Sequence, residues 1–165
     1  MTIGEVYSLA RVVGFPPAAA LKAVAIALKE SGLNPGAFNG SGPDHSFGLM
    51  QINMLGAMGA ERRRAWGLSS DDQLFDAETN MRAAYSLWSG NDSNFNRHWA
   101  IDSVDRGVYQ SALTTVQATV SDAAASMPYP AITGGWPTVP DEFGEMGVKV
   151  AAFIGTVVLL DLILG

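Results

Sequence analysis

From Ala27 to Asn53 the sequence reads ALKESGLNPGAFNGSGPDHSFGLMQIN, and one glutamate, Glu30, stands between a helix-forming run and a loop rich in glycine, asparagine and proline. A carboxylic acid delivers a proton to a leaving oxygen near neutral pH only if its pKa is raised, and burial against apolar groups raises it. The residues before Glu30 promise such a setting. Pro16 and Pro17 open a run from Ala18 to Lys29 almost free of helix breakers, and a proline in a first helical turn gives up only an amide that has no partner there. Leu21, Val24, Ala25 and Leu28 form one apolar face, and Ala23, Ile26 and Ala27 form another, so the helix is apolar nearly all round and belongs in the core. Gly32 then supplies the left-handed residue that ends many helices, and Pro35 blocks continuation. Glu30 therefore falls in the last turn, beside Ala23, Ile26 and Ala27. A lone glutamate in such a place is ordinarily a solvated surface residue; its reading as an acid depends on what accompanies it.

The remaining elements follow from spacing. Residues Asn34 to Pro43 read as a loop or short irregular hairpin, and FGLMQINMLGAMGA resumes an apolar pattern that returns to the core. SSDDQLFDAETNMRAAYSLWSG reads as a capped helix in which Asp76 accepts from the amide near Thr79, with Met81, Ala84, Tyr85 and Trp88 at helical spacing. A further helix spans about Asp105 to Met127, its stripe made of Tyr109, Ala112, Leu113, Val116, Val120, Ala123 and Met127. No alternating strand pattern is visible, and the fold class is mainly α.

Composition bounds the function. With 165 residues, 48% of them apolar, the chain buries one main core. Charged residues make up 16%, below the usual quarter or so, which leaves a surface that is neutral or covered by partners. The formal charge is -6 and the only dense basic run is Arg62 to Arg64, so nothing here neutralises a phosphate backbone and nucleic acid is excluded as a ligand. There are no cysteines and only two histidines, His45 and His98, so neither thiol chemistry nor a metal centre is expected, and no cofactor. The first residues, MTIGEVYSLARVVGF, lack the basic and long apolar regions of a secretory signal.

Composition changes after Met127. PYPAITGGWPTVPDEFGEMG holds four of the eight prolines and reads as a semi-extended linker. The chain closes on VKVAAFIGTVVLLDLILG, whose charges are Lys149 and Asp161; a spanning helix needs about 20 apolar residues, so this tail is at the short edge. The expected division is a main domain at 1–126, a linker at 127–147 and a hydrophobic helix at 148–165.

ESGLNPGAFN followed by FGLMQIN resembles the lytic transglycosylase family with the lysozyme-like fold, especially its small members from phage particles and secretion systems. The resemblance runs from roughly Phe15 to Leu113 and implies a fold, a substrate and roles. The glutamate of the ES pair, here Glu30, is the catalytic acid, and Ser31 supports it. Gly48, Leu49, Met50, Gln51 and Ile52 line the groove, Gln51 reaching the sugar, and Ser46 and Asn53 are counted with the substrate-binding residues. FDAETNMRAAYSLW is similar to the family's P-x-x-N helix, with Asn80 bonding near the glutamate and Tyr85 approaching the site, although Ala77 stands where proline is common. NFNRHWAIDSVDRGVYQSAL is similar to a late pattern of tryptophan, glycine and tyrosine, here Trp99, Gly107 and Tyr109. The implied reaction uses one glutamate twice on a peptidoglycan strand: it protonates the leaving oxygen, then helps the sugar's C6 hydroxyl close an anhydro ring. Goose-type lysozymes, of the same fold, resemble FGLMQVD, whereas this chain has Asn53 at the acidic position, which favours ring closure over hydrolysis.

Two-acid hydrolases place their carboxyls roughly 5 to 9.5 Å apart. Asp44 is the second-acid candidate, with Asp102 and Asp105 behind it, but aspartate in such a loop is more often a turn residue. Tyr85, Trp99 and Tyr109 either stack on sugars or pack in the core; Trp66 and Trp88 are assigned to packing. Arg62 to Arg64 either attract anionic peptidoglycan or lipid or form a solvated face, and His45 contacts substrate or makes a loop hydrogen bond. The implied setting is a phage virion or an export machine acting at the host cell wall, within a larger assembly that includes copies of the chain. The tail would serve as an assembly contact ahead of a host-membrane anchor. The alternatives are a structural protein whose domain is inactive or only binds glycan, and a true muramidase.

Overall fold

The computed structural model describes residues 1–42, 44–99 and 106–123. Helix α1 (Ile3–Val13) opens with a reciprocal cap: Thr2 Oγ1 accepts from the Glu5 amide, and Glu5 Oε2 accepts from the Thr2 amide at 2.8 Å. Sequence reading assigned no element here, yet the Thr-x-x-Glu pair and the spacing of Val6, Ala10 and Val13, all buried, were its signals.

Helix α2 (Pro17–Ser31) is the central element, with Ala20 and every residue from Ala23 to Ala27 buried. Its alanines let α1 and α6 (Arg106–Ala123) pack closely against it, and those two helices also touch each other. Gly32, at φ +62°, ends α2 by donating its amide to the Ala27 and Leu28 carbonyls, as expected from its position. Leu33 follows with a positive φ of its own, 63°. On α6 the buried stripe is Tyr109, Ala112, Val116 and Val120.

Between α2 and the second half of the molecule lies an antiparallel meander of three strands, β1 (Phe38–Asn39), β2 (Ser46–Phe47) and β3 (Ile52–Asn53). Phe38 pairs with Phe47, which pairs with Ile52; Asn39, Ser46 and Asn53 form the adjacent row. The short irregular hairpin allowed for from Asn34 to Pro43 is present as β1 and β2, and β3, which no alternating pattern announced, adds to it. A two-residue strand is shorter than one full alternation, so no period of two exists to be read.

Helix α3 (Gly56–Trp66), a 3-10 turn (Asp71–Phe75) and α4 (Ala77–Ser89) come next. Asp76 caps α4, accepting from the Thr79 amide at 2.8 Å. A four-residue α5 (Asn96–Trp99) precedes α6. The basic run on α3 is not a solvated face. Arg62 donates to the Asn53 carbonyl and lies over the Trp66 ring at 5.8 Å, while Arg63 donates to Asp71 Oδ1 at 2.6 Å. Only Arg64 of the three is exposed. The run tethers α3 to β3 and to the 3-10 turn.

Among the described residues no helix is long and apolar enough to cross a membrane. The linker at 127–147, the hydrophobic segment at 148–165, Met127, Asp102 and Asp105 lie outside the described residues.

Candidate active site

Glu30 stands in the last turn of α2, and the apolar residues one turn before it are buried as expected. The carboxylate itself is different: its side chain is 25% exposed and Oε1 accepts from Lys29 Nζ at 3.0 Å. Consecutive helix residues point about 100° apart, so the long lysine stem is what brings its ammonium round to the neighbouring acid. Sequence reading placed Glu30 among apolar side chains and overlooked Lys29.

Ser31 connects this helix end to the following loop. Its Oγ lies 2.9 Å from the Ala27 carbonyl and 2.8 Å from the Leu49 carbonyl, and it donates towards both. The loop Phe47–Gln51 is held from several other directions. Asn80 of α4, completely buried, donates through Nδ2 to the Phe47 and Leu74 carbonyls at 2.8 and 2.9 Å. Its Oδ1 accepts the Met50 amide at 2.9 Å. Trp99 Nε1 donates to the Met50 carbonyl at 2.7 Å. Gln51, at φ +46°, folds its amide back onto the Gly48 and Ala37 carbonyls at 3.0 and 3.2 Å.

Gly48 makes this convergence sterically possible. It has φ +71°, and a Cβ there would meet Asn80 Nδ2 and the Leu74 carbonyl at 2.3 Å each. No side chain fits.

The residues singled out for substrate therefore separate into two groups. Gln51 and Asn53 are partly exposed, although the Gln51 amide nitrogen and both polar atoms of the Asn53 side chain bond within the protein. Leu49 and Met50 are fully buried, Gly48 and Ser46 are buried, and Asn80 has both amide hydrogens and its oxygen engaged with backbone. In this conformation these five shape the loop from beneath rather than facing a ligand. Tyr109 is a core residue, 2% exposed. Tyr85 is half-buried, its ring edge-on to Phe15 at 5.1 Å, and burial pushes its hydroxyl pKa up. Trp99, read as a sugar-stacking or core aromatic, is buried and serves the loop through its indole N–H. An indole inside a protein needs an acceptor, and that was the available signal.

Asp44 bridges the tip of the sheet. Its two carboxylate oxygens accept from Asn39 Nδ2 at 3.2 Å and Asn53 Nδ2 at 3.3 Å, while Asn53 Oδ1 takes the Leu55 amide. His45 lies edge-on to Phe38 and Phe47, with Nε2 3.9 Å from Asp71 Oδ2. Among the described residues no three His, Asp or Glu side chains come together as metal ligands.

On the far side of β3 is a cavity of about 220 Å³, lined by Gln51, Ile52 and Asn53, by Met58 and Arg62 of α3, by Leu87 of α4 and by Arg97, His98 and Trp99 of α5. Burial holds the Arg62 pKa below its ordinary value. The His98 imidazole is also pushed down, first by burial and then by Arg62 and Arg97. Glu30 does not line this cavity; of its basic residues Arg62 was weighed from sequence as an attractor of anions, whereas Arg97 and His98 were given no such role.

Compared with known proteins, residues 7–101, more than half of the chain, match the family described as a lysozyme-like domain. That span contains Glu30, the Phe47–Gln51 loop, Asn80 and Trp99, and ends before Tyr109. Neither a curated protein nor a solved structure matches the chain.

Proposed function

The chain belongs to the lysozyme-like domain family, and from that premise we propose that it acts on peptidoglycan as a lytic transglycosylase, cleaving the β-1,4 bond between N-acetylmuramic acid and N-acetylglucosamine. One observation supports this reading above the others. The residue after Glu30, Ser31, is bonded to the same loop that Asn80 and Trp99 secure, so the acid and the residues beside the groove belong to one fixed unit. Fixed placement is what proton delivery to a leaving oxygen requires.

In the proposed reaction Glu30 gives its proton to the glycosidic oxygen of the departing N-acetylglucosamine. As carboxylate it then takes the proton of the muramyl C6 hydroxyl, whose oxygen closes on C1. The product is an anhydro sugar, no water is consumed, and the glutamate ends protonated as it began. The engagement of both Asp44 oxygens by asparagine amides supports a single-acid route over one with a second carboxylate at work. The setting we propose is a phage particle or export machine that brings the domain to the cell wall.

A second reading has one observation in its favour. The Lys29–Glu30 ion pair suits a domain that binds glycan without cleaving it. Incubating purified peptidoglycan with the full chain, and with the chain carrying Glu30→Gln, distinguishes the two when the released fragments are weighed by mass spectrometry. Anhydromuramyl ends, lowered about 100-fold or more by Glu30→Gln, are the expected result. Reducing ends would mean that water attacks and would restore Asp44 as a second acid. No release by either folded protein would leave glycan binding or a structural role as the function.

A further inference from the structure

Resting on the reading of peptidoglycan as substrate, we infer that the cavity between β3, α3 and α5 receives a free carboxylate of the peptide stem that muramic acid carries. The chain is acidic overall, at -6, yet Arg62, Arg97 and His98 converge on one cavity that, among the described residues, no aspartate or glutamate lines. Arg62 bonds to the Asn53 carbonyl and lies over the Trp66 ring, and neither neutralises a guanidinium. Among the described residues no carboxylate pairs with Arg62 or Arg97. A partly buried cation without a counter-charge is costly, and an anion that fills the space relieves that cost while receiving charge-assisted hydrogen bonds.

The rest of the lining narrows the kind of anion. Ile52, Met58, Leu87 and Trp99 give apolar wall, which suits the short apolar side chains of a peptide better than a bare phosphate. Gln51 and Asn53, which the proposed function sets beside the sugar, also line the cavity. A peptide branching from a sugar in the groove therefore has a direct way in. The pocket would select glycan strands that still carry their peptides.

Calorimetric titration of the full chain bearing Glu30→Gln, which prevents turnover, tests this. The three probes are a GlcNAc-MurNAc-peptide, the same compound with its carboxylates amidated, and an N-acetylglucosamine oligomer, which has neither peptide nor charge. Amidation is expected to weaken binding about tenfold. Adding Arg97→Gln, at an exposed position, should produce the same loss for the charged peptide and leave the oligomer unaffected. Unchanged circular dichroism and Tm would show that this variant folds. The inference is overturned if amidation has no effect, or if the difference it makes survives Arg97→Gln, since the carboxylate is then read elsewhere. Failure of all three probes to bind would instead overturn the peptidoglycan reading, and this inference with it.

Discussion

Two neighbouring regions are held in opposite ways. The Phe47–Gln51 loop is fixed by side chains that lie beneath it: the hydroxyl of Ser31, the completely buried amide of Asn80 and the buried indole of Trp99. The tip of the sheet, one strand away, is held by Asn39, Asp44 and Asn53 in contact with solvent. A hydrogen bond from a buried group has no water to replace it, whereas an exposed amide exchanges one partner for another at little cost. The floor beside Glu30 is therefore held more firmly than the rim.

The largest test of this contrast is Asn80→Ala. It strands the Met50 amide and the Phe47 and Leu74 carbonyls and should cost on the order of 4 kcal/mol, read by denaturant unfolding. Gly48→Ala should follow at about 3 kcal/mol, since a Cβ adds a clash with Asn80 and Leu74 to an unfavourable left-handed backbone. Asp44→Ala, by contrast, should change stability by only about 0.5 kcal/mol because water replaces its two amide donors. A loss there as large as at Asn80 would abolish the distinction between floor and rim.

The smallest effect concerns pH. His98 has its pKa held below its ordinary 6.5 by burial and by Arg62 and Arg97. The unfolded chain takes up this proton more readily than the folded one, so the His98 contribution is constant above about 6.5 and stability falls as pH drops below it. His98→Gln should flatten that part of a Tm-against-pH curve. An unchanged slope would mean that other groups produce it.

Legibility in the sequence followed the range of the interactions. Helix α2 and its end at Gly32 were readable because proline, alanine and glycine act through their own backbone. The Asp76 cap was readable three residues ahead for the same reason. The part played by Asn80 was not, since its partners lie 30 and 33 positions away and nothing in TNMRAA reveals which backbone it meets. Arg62 to Arg64 looked like a charged surface because charge is local, but what each guanidinium touches is decided by the fold. Lys29 was legible in principle, being adjacent to Glu30, and was passed over because attention to apolar periodicity set aside the one long basic side chain in the turn.

The indole of Trp99 has a further use as a reporter. Its proton points at the Met50 carbonyl from a buried position and exchanges with solvent only when that bond opens. Followed in deuterated water, this one resonance times the lifting of the floor separately from the unfolding of the helices around it. The molecule thus carries its own internal clock for the rigidity on which the proposed chemistry depends.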